Sequence, residues 1–544
     1  MGMRIRFAEP RPAGRNVYDH ILLPRLGLPL MGTILRGEGH DVRIYCEVLA
    51  PLDRRDCAEA DLVGISATTA TQPAAYALAD ELSAAGVPVV LGGPHVTFCP
   101  DEALAHAPYV VRGEGEHTIV ELVDAIGARR DPSDVAGLSW RSADGRAHHN
   151  PPRARCSQEQ FEALPIPDLS LIAGHERMGV KPIMTQWGCP YDCEFCSVTA
   201  QFSRHVRYRR TDQVLAELDG LRAREVFFHD DNFVVDKRRT RALLQAMIEA
   251  GLTPEFSAQM RADTVLASRS RQDIDEDFLE LLARAGCRMA MVGFETISDE
   301  GLRRIGKKTT LASSEAAVHA FHRHGIAVHG MFVAGLDGDH AGSAEEMAAF
   351  ARRLQIDTFQ LMMVTPAPGT RLWERVSDEE RLLCRDWSLF DGHHAVMRPA
   401  GMTPLELQLG TVAALRSFYS PAAIALPAAR GLVRQAPALL AILARRAPAL
   451  LARPWRRVRA GAQLVAESAQ VSGAGADVPQ GRKLSERAVL AMDRFAESLS
   501  REERDHLFDA LGVAGLRLYG RRRVAEFLGQ EHSRRHLAYL ASLG

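Results

Sequence analysis

Short runs of apolar and β-branched residues recur through the N-terminal part of the chain, and each ends in small or polar residues. The pattern predicts strands at residues 3–8, 41–45, 62–66, 87–91 and 109–112. Apolar residues at helical spacing predict helices at residues 28–35, 74–84, 101–105 and 116–126. Strands that alternate with helices form a parallel sheet covered on both faces. Residues 1–150 are therefore predicted to be a doubly wound α/β domain, in which ligands bind at the carboxyl ends of the strands.

The same alternation resumes at larger spacing over residues 181–400. Candidate strands lie at residues 182–187, 225–229, 255–259, 289–294, 327–334 and 359–364. The intervening segment, 151–180, carries prolines and charged residues and reads as a linker. These units predict a second parallel sheet, whose reactive residues follow the carboxyl ends of its strands.

The C-terminal part, 401–544, has a helical pattern. Residues 405–419 are amphipathic, and residues 423–465 are rich in Ala and Leu and punctuated by Arg. The longest uncharged run there, 435–444, is far shorter than the roughly 20 residues that a membrane span needs. Because prolines interrupt this stretch, we favour an ordinary packed helix over a helix lying in a membrane interface. The remainder is predicted to be a linker, 471–480, and a small helical unit, 484–544.

Composition narrows the function classes. The 544 residues carry 66 Lys and Arg against 68 Asp and Glu, so there is no general attraction to nucleic acid. The nine cysteines are scattered apart from one cluster, which is typical of a reducing cytoplasm rather than of a disulfide framework. The N-terminal residues have no apolar signal core, so we expect a cytoplasmic protein.

The cysteine cluster lies in residues 188–196, GCPYDCEFC. It places Cys189, Cys193 and Cys196 at C-x3-C-x2-C spacing, directly after the first predicted strand of the second unit. Thiolates are preferred ligands of iron–sulfur clusters, and three of them leave one iron of a four-iron cluster open. A zinc site is the alternative, but zinc usually takes four ligands from paired Cys or His knuckles, which this stretch lacks.

The cysteine spacing resembles the radical S-adenosylmethionine superfamily. The resemblance implies a partial TIM-like (β/α)6 barrel over residues 181–400 and a [4Fe-4S] cluster on the three cysteines. In that family the open iron chelates S-adenosylmethionine, and the reduced cluster cleaves it to methionine and a 5'-deoxyadenosyl radical. Phe195, just before the third cysteine, matches the family position that packs beside the adenine.

Residues after successive strands match the family's contacts to S-adenosylmethionine. Asp230 and Asp231 follow the second strand, where the family has acceptors for the amino group, and carboxylates bind an ammonium well. Arg261 follows the third strand and suits the carboxylate, because its planar fork pairs with both oxygens. The resemblance assigns Glu295 to the ribose hydroxyls and Gly335 to the adenine. The alternative is that these residues cap helices.

Small, polar and glycine residues follow three of the N-terminal strands, and glycines let a backbone approach a flat ligand closely. These stretches resemble the cobalamin-binding domain that precedes many radical S-adenosylmethionine barrels. The resemblance places the following residues against the corrin: Ser66, Thr68, Thr69, Gly92, Gly93, Pro94, His95, Gly113, Glu114, Gly115 and Glu116. The D-x-H-x-x-G motif that gives a histidine to cobalt is absent, so we expect His95 to be a capping or solvent-facing residue rather than a cobalt ligand. A flavodoxin-like module without a ligand is the alternative.

These features predict an enzyme that uses a [4Fe-4S] cluster, S-adenosylmethionine and cobalamin. The leading hypothesis is methylation of an unactivated carbon in a small-molecule or lipid substrate, with electrons from an external reductant such as flavodoxin or ferredoxin. A cyclase or rearrangement enzyme with the same domain order is the alternative, and a non-enzymatic cobalamin or redox sensor is a weaker one. We expect no nucleic-acid partner, and any peripheral membrane contact would come from residues 423–465.

Overall fold

The structure is a computed structural model that describes residues 2–12, 23–268, 271–420 and 513–543. Two large sheets organise these residues, one of seven strands and, after it in the chain, one of six. None of the described helices is both long and apolar enough to cross a lipid bilayer. The predicted packed helix at 423–465 and the predicted linker at 471–480 lie outside the described residues.

The N-terminal sheet has the predicted α/β architecture and two additional strands. Its strands are β1 (Arg4–Glu9), β2 (Asp41–Cys46), β3 (Leu62–Ser66), β4 (Val89–Gly92), β5 (Tyr109–Val111), β6 (Leu138–Arg141) and β7 (Ala147–His149). They lie in the order β2-β1-β3-β4-β5-β6-β7. The first five pair in parallel, whereas β6 pairs antiparallel with β5 and β7 antiparallel with β6. The hydrophobic pattern missed β6 and β7, because both are short and their outward residues are polar.

Helices cover both faces of this sheet, as the alternating pattern predicts. They are α1 (Gly27–Gly37), α2 (Arg54–Ala58), α3 (Gln72–Ala84), α4 (Pro94–Phe98), α5 (Pro100–Leu104) and α6 (Glu116–Gly127). The buried apolar side chains form two clusters, one containing Phe7 and the other containing Ala8. Neighbouring residues of β1 point to opposite faces, which is the side-chain alternation of a strand buried on both sides.

The segment predicted to be a linker, 151–180, is packed against the N-terminal sheet. Its helix α7 (Gln158–Ala163) begins at Ser157, whose hydroxyl accepts a hydrogen bond from the Gln160 amide. Phe161 and Ile172 are buried in the same apolar cluster as Phe7. The segment therefore extends the first core instead of separating the two sheets.

The second sheet is an open barrel. Its region contains β8 (Val180–Ile183), β9 (Gln186–Trp187), β10 (Arg207–Tyr208), β11 (Glu225–Phe228), β12 (Glu255–Arg261), β13 (Leu266–Ser268), β14 (Arg271–Ile274), β15 (Cys287–Glu295), β16 (Ala327–Ala334) and β17 (Thr358–Met363). Six of these strands lie in parallel in the order β17-β16-β15-β12-β11-β8, and the end strands β8 and β17 do not pair with each other. This arrangement confirms the partial barrel. The predicted strand at 182–187 is divided, since β9 leaves the barrel and pairs antiparallel with β10.

The helices of this region are α8 (Ser197–Phe202), α9 (Thr211–Leu221), α10 (Lys237–Glu249), α11 (Glu276–Arg284), α12 (Asp299–Arg304), α13 (Leu311–Arg323), α14 (Ser343–Arg353) and α15 (Arg371–Asp378). Among them α9, α10, α11, α13 and α14 pack outside the barrel and bury the outer face of its strands. The largest apolar cluster of the described residues lies between the strands and these helices. It leaves the inner face of the barrel available for a ligand.

Three C-terminal helices cover the end strand β17. They are α16 (Pro404–Phe418), α17 (Val513–Gly529) and α18 (Glu531–Ser542). The Tyr419 hydroxyl accepts a 3.0 Å hydrogen bond from the Phe359 amide and donates a 2.7 Å bond to the Phe359 carbonyl. Arg517 donates to the carbonyl oxygens of Ile356 and Asp357 at 2.7 and 2.6 Å. The described end of the predicted helical unit therefore satisfies backbone groups beside the open edge.

A buried ion pair joins the N-terminal sheet to the two-stranded pair of β9 and β10. Both guanidinium Nη atoms of Arg207 on β10 donate to the Glu114 carboxylate after β5, at 2.8 and 2.5 Å. The Arg207 side chain has no exposed surface, and the rings of Phe161, Trp187 and Phe202 surround its guanidinium at 5.5–5.9 Å. Arginine suits this place because its flat cation can stack on rings while it pairs bidentately.

Arg207→Met should lower the free energy of unfolding by about 3–5 kcal/mol, because it leaves the Glu114 carboxylate buried without its counter-charge. Urea unfolding of the full chain measures the loss. Arg210→Met is the matched control, since Arg210 pairs with Asp212 on the surface, where solvent screens the pair and its loss should have little effect on stability. Equal effects of the two substitutions would contradict a structural role for the buried pair.

Gly64→Ala should lower the free energy of unfolding by about 1–3 kcal/mol through overpacking. A Cβ on Gly64 would lie 2.5 Å from two ring carbons of Phe7, its partner in the register of β1 and β3. Gly220→Ala provides the comparison, because Gly220 lies exposed in α9 with open space around its added Cβ, and alanine there should stabilise the helix by up to about 1 kcal/mol. Differential scanning calorimetry of both variants measures the contrast.

Candidate active site

The carboxyl ends of β3, β4 and β5 face the mouth of the barrel across a cavity of about 400 Å³. Most of the residues predicted to contact the corrin line it: Ser66, Thr68, Gly92, Gly93, Pro94, Gly113, Glu114, Gly115 and Glu116. From the barrel side it is lined by Met184, Gln186, Trp187, His229 and Asp231, among others. One cavity is therefore shared by the N-terminal strand ends and the barrel mouth.

Bare backbone forms part of the N-terminal wall of this cavity. A Cβ added to Gly92 or Gly113 would meet no atom within 4 Å, so a side chain there would enter open space. Gly93 has a φ of +109°, and its added Cβ would lie 2.5 Å from the Ala67 carbonyl oxygen. A wall without side chains fits the close approach of a flat macrocycle such as a corrin.

His95 and Thr69 do not line the cavity, and the expectation of a capping or solvent-facing His95 is wrong. His95 is 1% exposed, and its ring packs edge-on against Trp387 at 4.8 Å. Its Nδ1 lies 3.4 Å from Thr69 Oγ1 and its Nε2 lies 3.4 Å from Glu102 Oε1. Burial lowers the pKa of His95, which favours the neutral ring. The reason for the error is that Trp387, which covers the ring, is remote in sequence.

The two carboxylates of the third loop have different environments. Glu114 is engaged by Arg207 and by the Cys156 amide at 2.8 Å, so its charge is compensated within the protein. Glu116 is buried at the first turn of α6 and lines the cavity. Burial raises the pKa of Glu116 to about 7. Glu116 therefore adds a negative charge to the cavity wall only when the pH reaches about 7 or more.

The three clustered cysteines are half-buried free thiols in one loop beside this cavity. Burial raises the pKa of each thiol, that of Cys196 to about 12, so binding of iron must displace protons. In the described residues no group of three or more His, Cys, Asp or Glu side chains converges on a single metal ion. A cubane attaches each cysteine to a different iron, so its three ligands need not converge on one point. The donor set fits a [4Fe-4S] cluster.

Glu194, between the second and third cysteines, anchors this loop to the barrel. Its amide donates to the Ile305 carbonyl and its carbonyl accepts from the Leu372 amide, both at 3.2 Å. Its carboxylate accepts from Arg375 Nε at 2.7 Å, and Arg375 also reaches Asp337 at 2.6 Å. The loop is thus held by α15 and by Ile305 at the end of α12.

Phe195 and Gly335 meet at a second, smaller cavity of about 240 Å³. Gly335 has a φ of +89°, and a Cβ there would lie 2.7 Å from Leu407, so only glycine fits. Apolar side chains such as Ile305 and Met397 complete the lining. The two residues predicted to flank the adenine therefore lie together, and the cavity suits a flat aromatic base.

The adjacent carboxylates after β11 differ, and Asp230 is not positioned for the predicted amino-group contact. Asp230 is fully buried and accepts hydrogen bonds from the Thr185 amide at 2.7 Å, the Thr185 hydroxyl at 2.6 Å and the Gln186 amide at 3.2 Å. Its oxygens fix the turn from β8 into β9. Asp231 lines the large cavity and accepts from the Gly188 amide at 3.1 Å. Burial raises the pKa of Asp231 to about 6.

Arg261 and Glu295 lie at the carboxyl ends of β12 and β15, but each already has a charged partner. Arg261 pairs with Asp263 through Nε and Nη2 at 2.9 and 3.1 Å, and its guanidinium lies 3.7 Å from the centre of the Tyr191 ring. Glu295 has a φ of +66°, at an irregularity in the pairing of β15 with β16, and its carboxylate pairs with Lys307.

Sequence reasoning missed the cavity residue Arg25 and the counter-charge Lys307. Arg25 donates to Glu9 at 2.8 Å and to the Ser66 carbonyl at 3.1 Å, and it lines the large cavity. Neither residue lies in a motif or directly after a predicted strand. Their positions depend on tertiary packing, so the hydrophobic pattern carries no signal for them.

Glu116→Gln should remove a pH dependence of stability. The pKa of Glu116 is raised from 4.5 to about 7 in the folded chain, so folding favours the protonated form and this stabilisation is lost as pH rises from about 4.5 through 7. The glutamine variant keeps the neutral form, so it should exceed the wild type by about 1–3 kcal/mol at pH 8.5 and match it near pH 5. Urea unfolding at both pH values measures this, with exposed Glu38→Gln as the control. A pH-independent difference would contradict the assignment.

Each of the two large sheets lies in a region that matches a known protein family. Residues 21–123 match the family model of the B12 binding domain, and residues 183–351 match that of the radical SAM superfamily. Four solved or curated proteins illustrate the range. The chain is 32% identical to an uncharacterised methyltransferase of Pyrococcus horikoshii, over 73% of this chain and 88% of that protein. It is 27% identical to the bacteriochlorophyllide d C-12(1)-methyltransferase of Chlorobaculum tepidum, over 73% and 82%.

The structure is similar to that of the radical S-adenosylmethionine methyltransferase TsrM from Kitasatospora setae, which was solved with cobalamin and a [4Fe-4S] cluster bound. The TM-score is 0.59 at 20% identity, over 70% of this chain and 78% of that one, and this likeness concerns the fold alone. Relatives also include the anaerobic magnesium-protoporphyrin IX monomethyl ester cyclase of Rubrivivax gelatinosus, at 26% identity over 66% of each protein. The chain therefore belongs to the radical S-adenosylmethionine superfamily, among the enzymes that also carry a cobalamin-binding domain, and its cofactors are a [4Fe-4S] cluster, S-adenosylmethionine and cobalamin.

Proposed function

We propose that this enzyme transfers a methyl group to an unactivated carbon of a small-molecule or lipid substrate. The observation that carries the proposal is the single cavity shared by the glycine-lined strand ends of the N-terminal sheet and the barrel mouth. A methyl donor held there would face a substrate in the barrel, beside the cysteine loop. The methyltransferase names of the relatives in Pyrococcus horikoshii and Chlorobaculum tepidum support the same reaction class.

When bound, the cluster with S-adenosylmethionine supplies a 5'-deoxyadenosyl radical, and cobalamin supplies the methyl group. In this proposal Cys189, Cys193 and Cys196 hold the cluster. Phe195 and Gly335 receive the adenine in their shared cavity. Their positions at the loop and at the end of β16 would orient the nucleoside toward the barrel interior.

The charged residues of the mouth would hold the polar end of S-adenosylmethionine. Asp231 is the carboxylate that faces the large cavity, so we assign it to the amino group. Arg261 engages Asp263 through Nε and Nη2, which leaves Nη1 for the methionyl carboxylate. Lys307 would hold Glu295 in place for the ribose hydroxyls. Arg261 and Glu295 each have a counter-charge, so these two residues add no net charge to the site before the cofactor binds.

The reaction also needs an electron donor, for which we propose a flavodoxin or ferredoxin, and a reducing cytoplasm that keeps the thiols free. Peripheral membrane contact through 423–465 is proposed from the sequence alone. The runner-up reaction is cyclisation without methyl transfer, which the Rubrivivax gelatinosus relative favours.

Anaerobic turnover with [methyl-13C]S-adenosylmethionine distinguishes the two reactions. The full chain, with its cluster reconstituted and hydroxocobalamin bound, is incubated with a reductant and an organic-solvent extract of the source cells. Methyl transfer should produce deoxyadenosine and S-adenosylhomocysteine in near-equal amounts, because one molecule starts the radical and another replaces the methyl group. Mass spectrometry should also find a product enriched in 13C.

Cys196→Ala should abolish deoxyadenosine and the labelled product, whereas Cys384→Ala, outside the cysteine loop, should retain both. Deoxyadenosine without S-adenosylhomocysteine in the active enzyme would overturn methyl transfer and favour cyclisation. Normal deoxyadenosine formation by Cys196→Ala would overturn the cluster assignment itself.

A further inference from the structure

The inner face of the barrel is not a packed core. Along β12 and β16 fully buried residues alternate with half-buried ones, and the buried set, such as Ala258 and Val328, packs against the outer helices. The half-buried set faces inward. A closed barrel fills its interior with packed side chains, so partly exposed inward side chains indicate a chamber. Phe227, on the inner face of β11, is 9% exposed and lies below this level.

Methionines form one wall of this chamber. Met289 and Met291 on β15, Met331 on β16 and Met362 on β17 are inward-facing and half-buried. None of these four belongs to the core between the strands and the helices. Methionine side chains are apolar and flexible, so such a wall adapts to a bulky apolar molecule.

Hydrogen-bonding side chains form the opposite wall. His229 directly follows β11 and Gln259 lies on β12 at the same height, level with Met291 across the register. Within the described ranges, neither the His229 imidazole nor the Gln259 amide has a hydrogen-bond partner, although both residues are half-buried. A polar group held inside a protein without a partner is costly unless a ligand or water satisfies it.

His329, in the same barrel, has a hydrogen-bond partner on each ring nitrogen. Its Nδ1 lies 2.8 Å from Thr358 Oγ1 and its Nε2 lies 3.0 Å from Gln360 Oε1. Because the amide oxygen can only accept, Nε2 carries the proton and Nδ1 accepts from the hydroxyl. Unlike His329, His229 has no side-chain partner on either ring nitrogen among the described residues, so the polar wall keeps hydrogen-bonding capacity for a ligand.

Among the residues that the structure describes, none offers an unpaired charge to a ligand at this height of the chamber. Arg261 and Glu295, one layer nearer the mouth, are paired with Asp263 and Lys307. Burial, and then the nearby Arg25, lower the pKa of His229, so its ring is neutral near pH 7. An ionised ligand group would therefore lose its hydration without a counter-charge.

We infer that the chamber binds a substrate with a largely apolar body, which lies on the methionine wall, and one uncharged hydrogen-bonding group, such as a hydroxyl or carbonyl, which bonds to His229 and Gln259. The inference rests on the proposed function for calling the ligand a substrate. It names the chemistry that selects the substrate, which neither the fold nor the family defines.

Equilibrium dialysis with three matched probes tests the inference. The full chain, with cluster and hydroxocobalamin bound so that the cobalamin cavity is occupied, is dialysed against 2-naphthalenemethanol, 2-methylnaphthalene or 2-naphthoate. The alcohol should bind about three- to tenfold more tightly than the hydrocarbon, as expected for one hydrogen bond. The carboxylate should bind at least about tenfold more weakly than the alcohol. Absence of binding by all three, or equal affinities, would overturn the inference without any variant.

Two substitutions test whether Gln259 causes the preference for the alcohol over the hydrocarbon. Gln259→Leu should reduce the preference for the alcohol over the hydrocarbon to about one- to threefold, while Gln360→Leu should retain it, because the Gln360 carbonyl already accepts from His329. An unchanged preference in Gln259→Leu, or an equal loss in both variants, would overturn the assignment of the polar wall. Because binding is measured without turnover, these results are independent of whether the enzyme transfers a methyl group.

Discussion

The buried pair of Glu114 and Arg207 sets the relation between the two halves of the site. Glu114 belongs to the loop that follows β5 and borders the large cavity, and Arg207 belongs to the strand that pairs with β9 beside the cysteine loop. Removal of either charge leaves the other buried without its counter-charge. The protein therefore holds the cobalamin side and the cluster side in one frame. A reactive radical requires such a frame, because a second reactant that is misplaced even slightly lowers the rate of the productive step.

Several buried charged residues of the site are compensated by partners within the protein. Asp230 is satisfied by backbone amides and a hydroxyl, Arg261 by Asp263, Glu295 by Lys307 and Glu194 by Arg375. In a partly dry interior an unpaired charge would attract water or counter-ions and would disturb the fold. With these charges compensated, the interior would suit the zwitterionic cofactor in one region and the proposed, largely apolar substrate in another.

How much of this could be predicted from the sequence depends on the range of the interactions involved. Alternating strands and helices depend on local hydrophobic pattern, so the two parallel sheets and the strand-end positions of Asp231, Arg261 and Glu295 followed directly. Asp230 and Asp231 are neighbours of the same type, and no local signal separates the one that fixes β9 from the one that faces the cavity. His95 was misjudged because Trp387, far along the chain, covers it. Arg25 and Lys307 reach the site through tertiary packing alone, and residues 151–180 resemble a linker in composition although their few apolar side chains complete a core.

The open side of the barrel has a consequence for self-association. An end strand such as β17 presents unpaired amides and carbonyls, which are a template for pairing with another chain. Here Tyr419 occupies both backbone groups of Phe359, and Arg517 occupies the carbonyls of Ile356 and Asp357. Because these backbone groups are already hydrogen-bonded, the C-terminal segments protect the barrel against edge-to-edge aggregation. A chain that ended before Tyr419 would leave these backbone groups exposed, and β17 could then pair with a strand of another molecule.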